Sequence, residues 1–333
     1  MKLALAGFGR VGRQVAALLA EKAPQWEELY RVRLEVVALV DLEQVWLAPS
    51  GLPYEVLAQL ARRERPLEHT GGSWLDSGAQ VLIDATPTDL ATGEPGLSLL
   101  RSALFRRLHV VVLSKGALVR AYRELQQLAA AAGVQLKFSG AVAAALPTVD
   151  TAHYALAGAT VTGFDGILNG TTNYILSAMT EQGTGYDQAL QEAQRRGMAE
   201  ADPSLDVDGY DTAAKTCILA NAVLGADLTL EEVAVTGIRG LPAGAIEAAR
   251  ARGQVLKLLG WARGGPEGVR AAVEVKAVPA RSLLAGVGGS NKAIVYHTDT
   301  MGELALVGGA SDPRGAAAAA LKDVLNLRFH RLT

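Results

Sequence analysis

Near its start the sequence reads Lys2-Leu3-Ala4-Leu5-Ala6, a short apolar run, and then Gly7-Phe8-Gly9-Arg10-Val11-Gly12 and a helical pattern. A strand, a glycine turn and a helix in this order are typical of a dinucleotide-binding unit. Gly7 permits the tight turn, Gly9 lets a pyrophosphate approach the backbone, and Gly12 lets the helix pack closely on the strand. The helix N-terminus adds N–H groups and partial positive charge. We therefore predict that residues 7–12 bind a dinucleotide; the alternative is an ordinary tight turn.

The next predicted strand, residues 34–40, ends in Asp41, which bears on the choice of dinucleotide. An acidic residue here can accept both ribose hydroxyls of NAD, and it repels the extra phosphate of NADP. The spacing from the glycines is long, and residues 23–33 are interpreted as an insertion in the crossover. The pattern favours NAD over NADP. Asp41 as a plain turn residue is one open alternative, and the other is a phosphate received by Arg10, Arg62 or Arg63.

Apolar strands and helical segments alternate through the remainder of the first half. The predicted strands are 80–84, 109–113 and 134–138, and the predicted helices are 97–108 and 117–132. Strands that are apolar throughout indicate a parallel sheet that is covered on both faces. We predict a Rossmann-type doubly wound domain over residues 1–148, with a C-terminal helix at 314–333 that packs back on it.

Ligands of such sheets lie beyond the carboxyl ends of the strands. Two polar segments follow neighbouring strands at that edge, Ala85-Thr86-Pro87-Thr88 and Ser114-Lys115-Gly116. Lysine is scarce in this chain, with nine lysines against twenty-three arginines. Lys115 is therefore a candidate to direct its ammonium at the reactive end of the cofactor. The alternative is a solvated loop lysine.

The composition excludes several classes of protein. Half of the 333 residues are apolar and a fifth are charged, so the chain can bury a core and is neither disordered nor fibrous. The formal charge of −2 gives no electrostatic reason to expect nucleic acid or an anionic membrane as a partner. The single Cys217 excludes a disulfide framework, and the five histidines lack metal-ligand spacing. With no membrane span or signal peptide expected, we predict a cytoplasmic protein of two domains.

The second half, residues 149–313, is predicted to be an α+β catalytic and dimerisation domain with a mostly antiparallel sheet. From residue 138 to residue 180 the only Asp, Glu, Lys or Arg side chains are Asp150 and Asp165. Such a charge-poor stretch is expected in a core or at a subunit interface, so we predict a homodimer. Within this stretch, residues 166–173 suit a turn into a helix with Thr171 or Thr172 as its N-cap.

An acid-rich loop leads into the next helix. The loop contains Gly197-Met198-Ala199-Glu200-Ala201-Asp202-Pro203, and beyond it Asp211 and Lys215 lie four residues apart, on one face of a helix. A surface ion pair of little energetic weight is the alternative interpretation. Residues 216–226 carry no charge, so we expect the rest of the helix to be buried and its polar start to line a cleft. A lysine in such a cleft can donate or accept a proton, and we predict a catalytic role for Asp211 and Lys215.

Taken together, these motifs resemble those of homoserine dehydrogenase of the short type, which lacks a C-terminal regulatory domain. The resemblance spans nearly the whole chain and is most specific in residues 166–176 and 197–215. It implies a nicotinamide-dependent reduction of L-aspartate 4-semialdehyde to L-homoserine, in threonine and methionine biosynthesis. It also implies a role for each of several residues. Lys215 resembles the proton-transfer lysine, and Lys115 the lysine beside the nicotinamide and the substrate.

The resemblance further implies which residues bind the ligands. Glu200 and Asp211 are similar to residues that hold the polar groups of the amino acid, and Gly197 matches a backbone contact to substrate. The residues that match cofactor contacts are Gly7, Gly9, Gly12, Thr86 and Gly308.

Two segments depart from the family pattern. Ser139 stands where family members usually have a glutamate that helps to bind a monovalent cation, and alanines replace the glycines expected at 143–145. The carbonyls of Val142, Ala144 and Leu146 are the residual candidate for a sodium site. Near the end, residues 309–315 replace the usual glycine-rich turn, so the choice between NAD and NADP stays open.

Three other functions compete with this one. The first is a related dehydrogenase of another small amino or hydroxy acid, and the second is a non-catalytic protein that senses the dinucleotide. The presence of both lysines and the acids disfavours the sensor, which needs no proton transfer. A thioester-forming semialdehyde dehydrogenase is also disfavoured, because Cys217 lies in an apolar helical segment where it is expected to be core.

Overall fold

The structure is a computed structural model, and it describes residues 1–41, 44–242, 244–309 and 312–327. The helices are α1 (Arg10–Tyr30), α2 (Tyr54–Ala61), α3 (Gly96–Phe105), α4 (Gly116–Ala132), α5 (Ser139–Ala143), α6 (Thr148–Asp150), α7 (Gly170–Gln182), α8 (Tyr186–Arg195), α9 (Ser204–Val207), α10 (Tyr210–Leu224), α11 (Ala245–Ala251) and α12 (Pro313–Asn326). The strands are β1 (Lys2–Ala6), β2 (Glu35–Asp41), β3 (Gln44–Leu47), β4 (Val81–Asp84), β5 (His109–Val112), β6 (Leu136–Lys137), β7 (Val161–Ile167), β8 (Ala234–Val235), β9 (Gln254–Gly265), β10 (Gly268–Pro279), β11 (Lys292–Thr298) and β12 (Glu303–Gly308). Contacts within the chain divide it into two compact units, residues 146–311 and the remainder.

The first unit contains a six-stranded sheet in the order β3-β2-β1-β4-β5-β6. All its neighbouring strands are parallel except the β2–β3 pair. Leu3 and Leu5 of β1 contact a core cluster built with α1, α2 and α12, while the intervening Ala4 is also fully buried. Because side chains alternate between faces, both faces of the sheet are covered. The predicted Rossmann-type α/β fold is confirmed.

Helix α1 forms the long crossover after the glycine turn. Most of residues 23–33, the expected insertion, belong to this helix, which runs unbroken from Arg10 to Tyr30 with Pro24 inside it. Ala23 is buried and Trp26 packs against the core cluster, so apolar contacts stabilise the helix beyond the proline. A proline removes one backbone hydrogen bond, and here packing offsets that loss.

Helix α12 follows the second unit in sequence and returns to the first. Val324 and Leu321 belong to the core cluster of α1, and the helix also packs on α5. The carboxylate of Asp323, which is 1% exposed, accepts the Ser139 N–H at 3.0 Å and the Ser139 hydroxyl at 2.9 Å. The predicted C-terminal helix extends to residue 333, and its positions 328–333 lie outside the described residues.

The second unit contains a six-stranded sheet in the order β12-β11-β7-β9-β10-β8. Its pairs are antiparallel except for the short β8, which runs parallel to β10, so the predicted mostly antiparallel sheet is confirmed. Helix α10 packs on β9 and β10, and a Cβ at Gly260 would overlap the Thr216 hydroxyl. Glycine at this position therefore sets the close approach of helix and sheet.

Part of the charge-poor stretch that suggested a dimer is buried within the chain itself. Nine residues of α7, Gly170 to Ala178, are buried by the chain alone. Its lack of charge thus follows from its own packing and needs no partner subunit. In the part of the chain that the structure describes, no helix combines the length and apolar character required to cross a bilayer.

Candidate active site

In the glycine turn between β1 and α1, backbone segments pass very close to one another. Gly7 has a φ of +83°, and its N–H donates to the Val40 carbonyl at 2.7 Å. A Cβ on Gly12 would overlap the Gly7 carbonyl oxygen, whereas a Cβ on Gly9 would meet no atom within 4 Å. Gly9 is the N-cap of α1 and provides no side-chain cap. A fixed backbone with open space at a helix N-terminus is the environment that a pyrophosphate requires.

Asp41 lies beside this turn. It is the last residue of β2, and its Oδ1 accepts the Phe8 N–H at 3.2 Å. The Phe8 side chain is buried, so only the backbone of this predicted contact residue can meet a ligand. Arg10 is exposed at the first position of α1, while Arg62 is paired with Glu64 at 2.7 Å. The turn is thus flanked by one acidic and one basic side chain.

Thr86 and Lys115 lie at the same edge of the first sheet. They follow β4 and β5, which pair in parallel as far as Asp84 and Val112. Thr86 donates its N–H and its hydroxyl to Asp84, at 3.0 and 2.6 Å. Lys115 is the half-buried N-cap residue of α4, and its N–H donates to Thr88 Oγ1 at 3.1 Å. The two loops therefore present their polar residues where ligands of parallel sheets bind.

The predicted pair Asp211 and Lys215 is formed in the second unit, on the first turns of α10. Lys215 Nζ donates to Asp211 Oδ2 at 2.6 Å and to the Leu168 carbonyl at 2.9 Å. The two side chains are 14% and 15% exposed, so this is not the solvated surface pair that was the alternative interpretation. Residues 216–221, the part of the helix that directly follows, are buried, as expected from its lack of charge.

Asn169 joins this pair to a second carboxylate that the sequence did not single out. Its Nδ2 donates to Asp211 Oδ2 at 2.8 Å and to Asp206 Oδ1 at 2.6 Å. Burial raises the pKa of Asp206, and the adjacent Asp211 carboxylate raises it further. The signal for Asp206 was its place in the acid-rich loop. Asp206 lies on α9 and Asp211 lies on α10, so no helical spacing in the sequence links the two carboxylates.

Asn169 also corrects the predicted cap of α7. Its Oδ1 accepts the Thr172 N–H at 3.0 Å, so Asn169 is the N-cap and Thr171 and Thr172 are inside the helix. Thr171 instead donates its hydroxyl to the Met198 carbonyl at 3.0 Å. That bond connects α7 to the loop that carries Gly197 and Glu200.

The loop between α8 and α9 carries the predicted substrate residues Gly197 and Glu200. Gly197 adopts a φ of +70°, and its N–H donates to the Gln194 carbonyl at 2.9 Å. Glu200 is exposed, and its carbonyl accepts from Gln194 Nε2 at 3.1 Å. Their contact with substrate stays a prediction.

The remaining predicted contacts lie near the end of the second unit and at α5. Gly308 ends β12 with a φ of +130°, and Ala310 and Ser311, which follow Gly309, are outside the described residues. The carbonyl of Leu146, one of the three candidate cation ligands with Val142 and Ala144, accepts the Thr148 N–H at 2.8 Å. No group of three His, Cys, Asp or Glu residues suited to a metal occurs among the described residues. A monovalent-cation site at these carbonyls stays a prediction.

Cys217 is buried in α10. Burial raises the pKa of its thiol to about 12, so the thiolate is scarce at neutral pH. This environment agrees with the expectation that Cys217 belongs to the core and is not a nucleophile.

Comparisons with known proteins give one consistent result. The family model described as homoserine dehydrogenase matches residues 147–325, and the one described as homoserine dehydrogenase, NAD binding domain, matches residues 7–139. The NAD(+)-dependent homoserine dehydrogenase of Pseudomonas canavaninivorans is 36% identical over 98% of this chain and 96% of its own length. The homoserine dehydrogenase of Methanocaldococcus jannaschii is 33% identical over 98% of both chains. A crystal structure of the homoserine dehydrogenase from Thiobacillus denitrificans superposes with a TM-score of 0.86 at 29% identity, covering 99% of this chain and 74% of that one.

Proposed function

Because the chain belongs to the homoserine dehydrogenase family, we propose that its two polar clusters carry the NAD(P)-dependent interconversion of L-homoserine and L-aspartate 4-semialdehyde. The chain is an oxidoreductase that acts on a CH–OH group with a nicotinamide dinucleotide. The observation that carries the assignment of residues is the half-buried Lys215–Asp211 pair, held by Asn169 beside a further carboxylate.

The first unit fits the dinucleotide. The open space at Gly9 and the N-terminus of α1 accommodate the pyrophosphate, while Gly7 and Gly12 fix the backbone around it. Asp41 accepts hydrogen bonds from the ribose hydroxyls, and Thr86 lies at the sheet edge where the nicotinamide half binds. When bound, the dinucleotide supplies or accepts the hydride, and the protein supplies orientation and charge.

Lys215 transfers the proton of the reaction. In the reductive direction it donates a proton to the developing alkoxide oxygen, and in the oxidative direction it takes the proton from the homoserine hydroxyl. Described residues engage two of its three N–H groups, which leaves one for the substrate oxygen. Asp211 orients the ammonium. Lys115, in the first unit, has an electrostatic role at the reactive end of the dinucleotide.

The carboxylates bind the amino-acid part of the substrate. Glu200 and Asp211 accept hydrogen bonds from the substrate ammonium, and Gly197 contributes a backbone contact. Asp206 adds to this cluster, because its carboxylate shares Asn169 with Asp211. A cationic amine entering beside them offsets the repulsion between the two acids.

An assay with L-homoserine and either NAD or NADP, read by the absorbance of the reduced nicotinamide, tests the function. Reduction of the coenzyme with homoserine supports the proposal. Turnover with another small hydroxy acid alone supports a related dehydrogenase. Coenzyme binding without turnover of any such substrate supports the dinucleotide sensor.

We expect NAD to be preferred, with Asp41 as the residue that decides. Asp41→Asn retains an acceptor for the Phe8 N–H but removes the charge. Charge-assisted hydrogen bonds contribute about 1.5–3 kcal/mol, so the ratio of kcat/KM for NADP to that for NAD is expected to rise roughly 10- to 100-fold. Arg10→Ala is the matched comparison. An unchanged ratio in Asp41→Asn, or a loss of NADP use confined to Arg10→Ala, contradicts this assignment.

We also expect the enzyme to be a homodimer. Helix α10 covers one face of the second sheet, the face of Gly260, while the opposite face carries the half-buried Trp261. The indole N–H donates to Glu274 at 2.7 Å, and Lys276 lies 4.4 Å from the ring centroid. Native mass spectrometry at micromolar concentration should give twice the mass of one chain. A single monomeric species under those conditions rejects the dimer.

A further inference from the structure

Asp84 is a fully buried carboxyl group at the end of an apolar strand. It is 0% exposed, in the sequence Val81-Leu82-Ile83-Asp84 of β4. A buried carboxylate is costly unless it is hydrogen-bonded. Asp84 accepts three bonds, from the Thr86 N–H at 3.0 Å, the Thr86 hydroxyl at 2.6 Å and the Ser114 hydroxyl at 2.5 Å.

The partners of Asp84 stand on two different loops. Thr86 follows β4, and Ser114 follows β5 and immediately precedes Lys115. One side chain therefore connects the two polar segments at the carboxyl edge of the sheet. No other side chain contacts both Thr86 and Ser114 among the hydrogen bonds of the described residues.

The start of helix α3 closes over these three groups. A Cβ at Gly96 would lie 3.2 Å from Asp84 Oδ2, 3.2 Å from Ser114 Oγ and 3.5 Å from Thr86 Oγ1. The partial positive charge at the N-terminus of this ten-residue helix favours an acid there. Burial raises the pKa of Asp84, and the bonds from Ser114 and Thr86 oppose the rise. The carboxyl group is thus fixed in place from three sides.

We propose that Asp84 is a positioning residue for the dehydrogenase reaction, acting through Thr86 on the bound dinucleotide and through Ser114 on the Lys115 ammonium. The inference rests on the roles proposed above for Thr86 and Lys115. Asp84 itself is too deeply buried to touch the dinucleotide or homoserine. Its function is to keep two loops in one relative placement, and small misplacements of reacting groups lower rates strongly.

The test compares Asp84→Asn, Thr86→Val and Ser114→Ala with Asp89→Asn. Asp89 is an exposed acid of the same region that caps its own turn, so Asp89→Asn is the matched control and should keep kcat and the dinucleotide Kd. Asp84→Asn should raise the Kd for the dinucleotide and lower kcat, each roughly tenfold. Thr86→Val should act mainly on Kd, and Ser114→Ala mainly on kcat, with KM for homoserine unchanged.

The dinucleotide Kd is measured by titration without homoserine, so this readout does not depend on the reaction proposed for the chain. Absence of homoserine oxidation in the unmodified enzyme would count against the function but would leave the Kd comparison intact. A folded Asp84→Asn protein with a lower Tm and unaltered Kd and kcat overturns the proposal. If Asp84→Asn does not fold, a Ser114→Ala enzyme with unaltered kcat overturns the proposal.

Discussion

Replacing Lys215 with alanine should lower kcat at least about 100-fold while the dinucleotide still binds with unchanged Kd. The reason is geometric. The ammonium lies 2.6 Å from Asp211 and 2.9 Å from the Leu168 carbonyl, so its position is fixed before any substrate arrives. Loss of a positioned proton donor removes a contribution of about 100- to 10,000-fold.

Four measurements separate lost chemistry from lost structure. Tm and the dinucleotide Kd should show that Lys215→Ala is folded, and Lys22→Ala, on α1 of the other unit, should keep full activity. A small primary amine added to the Lys215→Ala enzyme should restore part of kcat, because it can occupy the vacated space and carry the proton. Near-normal turnover of Lys215→Ala, or a fall in kcat matched by the control, removes the assignment.

Replacing Gly12 with alanine should abolish dinucleotide binding, with Kd at least about 100-fold higher, and should destabilise the first unit. The added methyl group would overlap the Gly7 carbonyl oxygen. The Gly7 carbonyl and the Cα that carries the methyl group both belong to the backbone of the turn between β1 and α1, so no flexible side chain can move aside. Overpacking of this kind costs about 1–3 kcal/mol or more, and the shift in the glycine turn displaces the groups that meet the pyrophosphate.

Gly9→Ala is the matched control for Gly12→Ala. Its φ of −78° suits any residue, and a Cβ there would meet nothing within 4 Å. Its Tm should therefore equal that of the unmodified protein, and any loss of affinity reports the space that the ligand itself needs. A Gly12→Ala protein with the Tm and Kd of the unmodified protein shows that the turn does not bind the dinucleotide as proposed.

Local patterns predicted most of the architecture because their causes are local. The apolar strands and the glycine turn follow from burial and backbone sterics, which act within a few residues. The shared face of Asp211 and Lys215 follows from helical spacing alone, and the structure places their charged atoms 2.6 Å apart. The sequence pattern did not show that α1 continues past Pro24 to Tyr30, because the helix there is stabilised by tertiary packing of Ala23 and Trp26.

The features that the sequence did not reveal depend on contacts between distant segments. Asn169 caps α7 and also donates to Asp206 and Asp211, 37 and 42 residues further along the chain. Asp84 meets Ser114 across thirty residues. Neither pairing follows a regular spacing that a sequence pattern could show. The lack of charge in α7 was ambiguous because a protein core and a subunit interface both favour uncharged side chains.

The return of α12 determines when the first unit can be completed. Its sheet is made by residues 2–137, but Leu321 and Val324, which cover part of the apolar surface of α1, are synthesised only after the whole second unit. During synthesis the first unit therefore stays incomplete, with an apolar surface exposed, until α12 emerges from the ribosome. The second unit behaves as an insertion into the first, and premature termination anywhere before residue 312 leaves that hydrophobic surface uncovered.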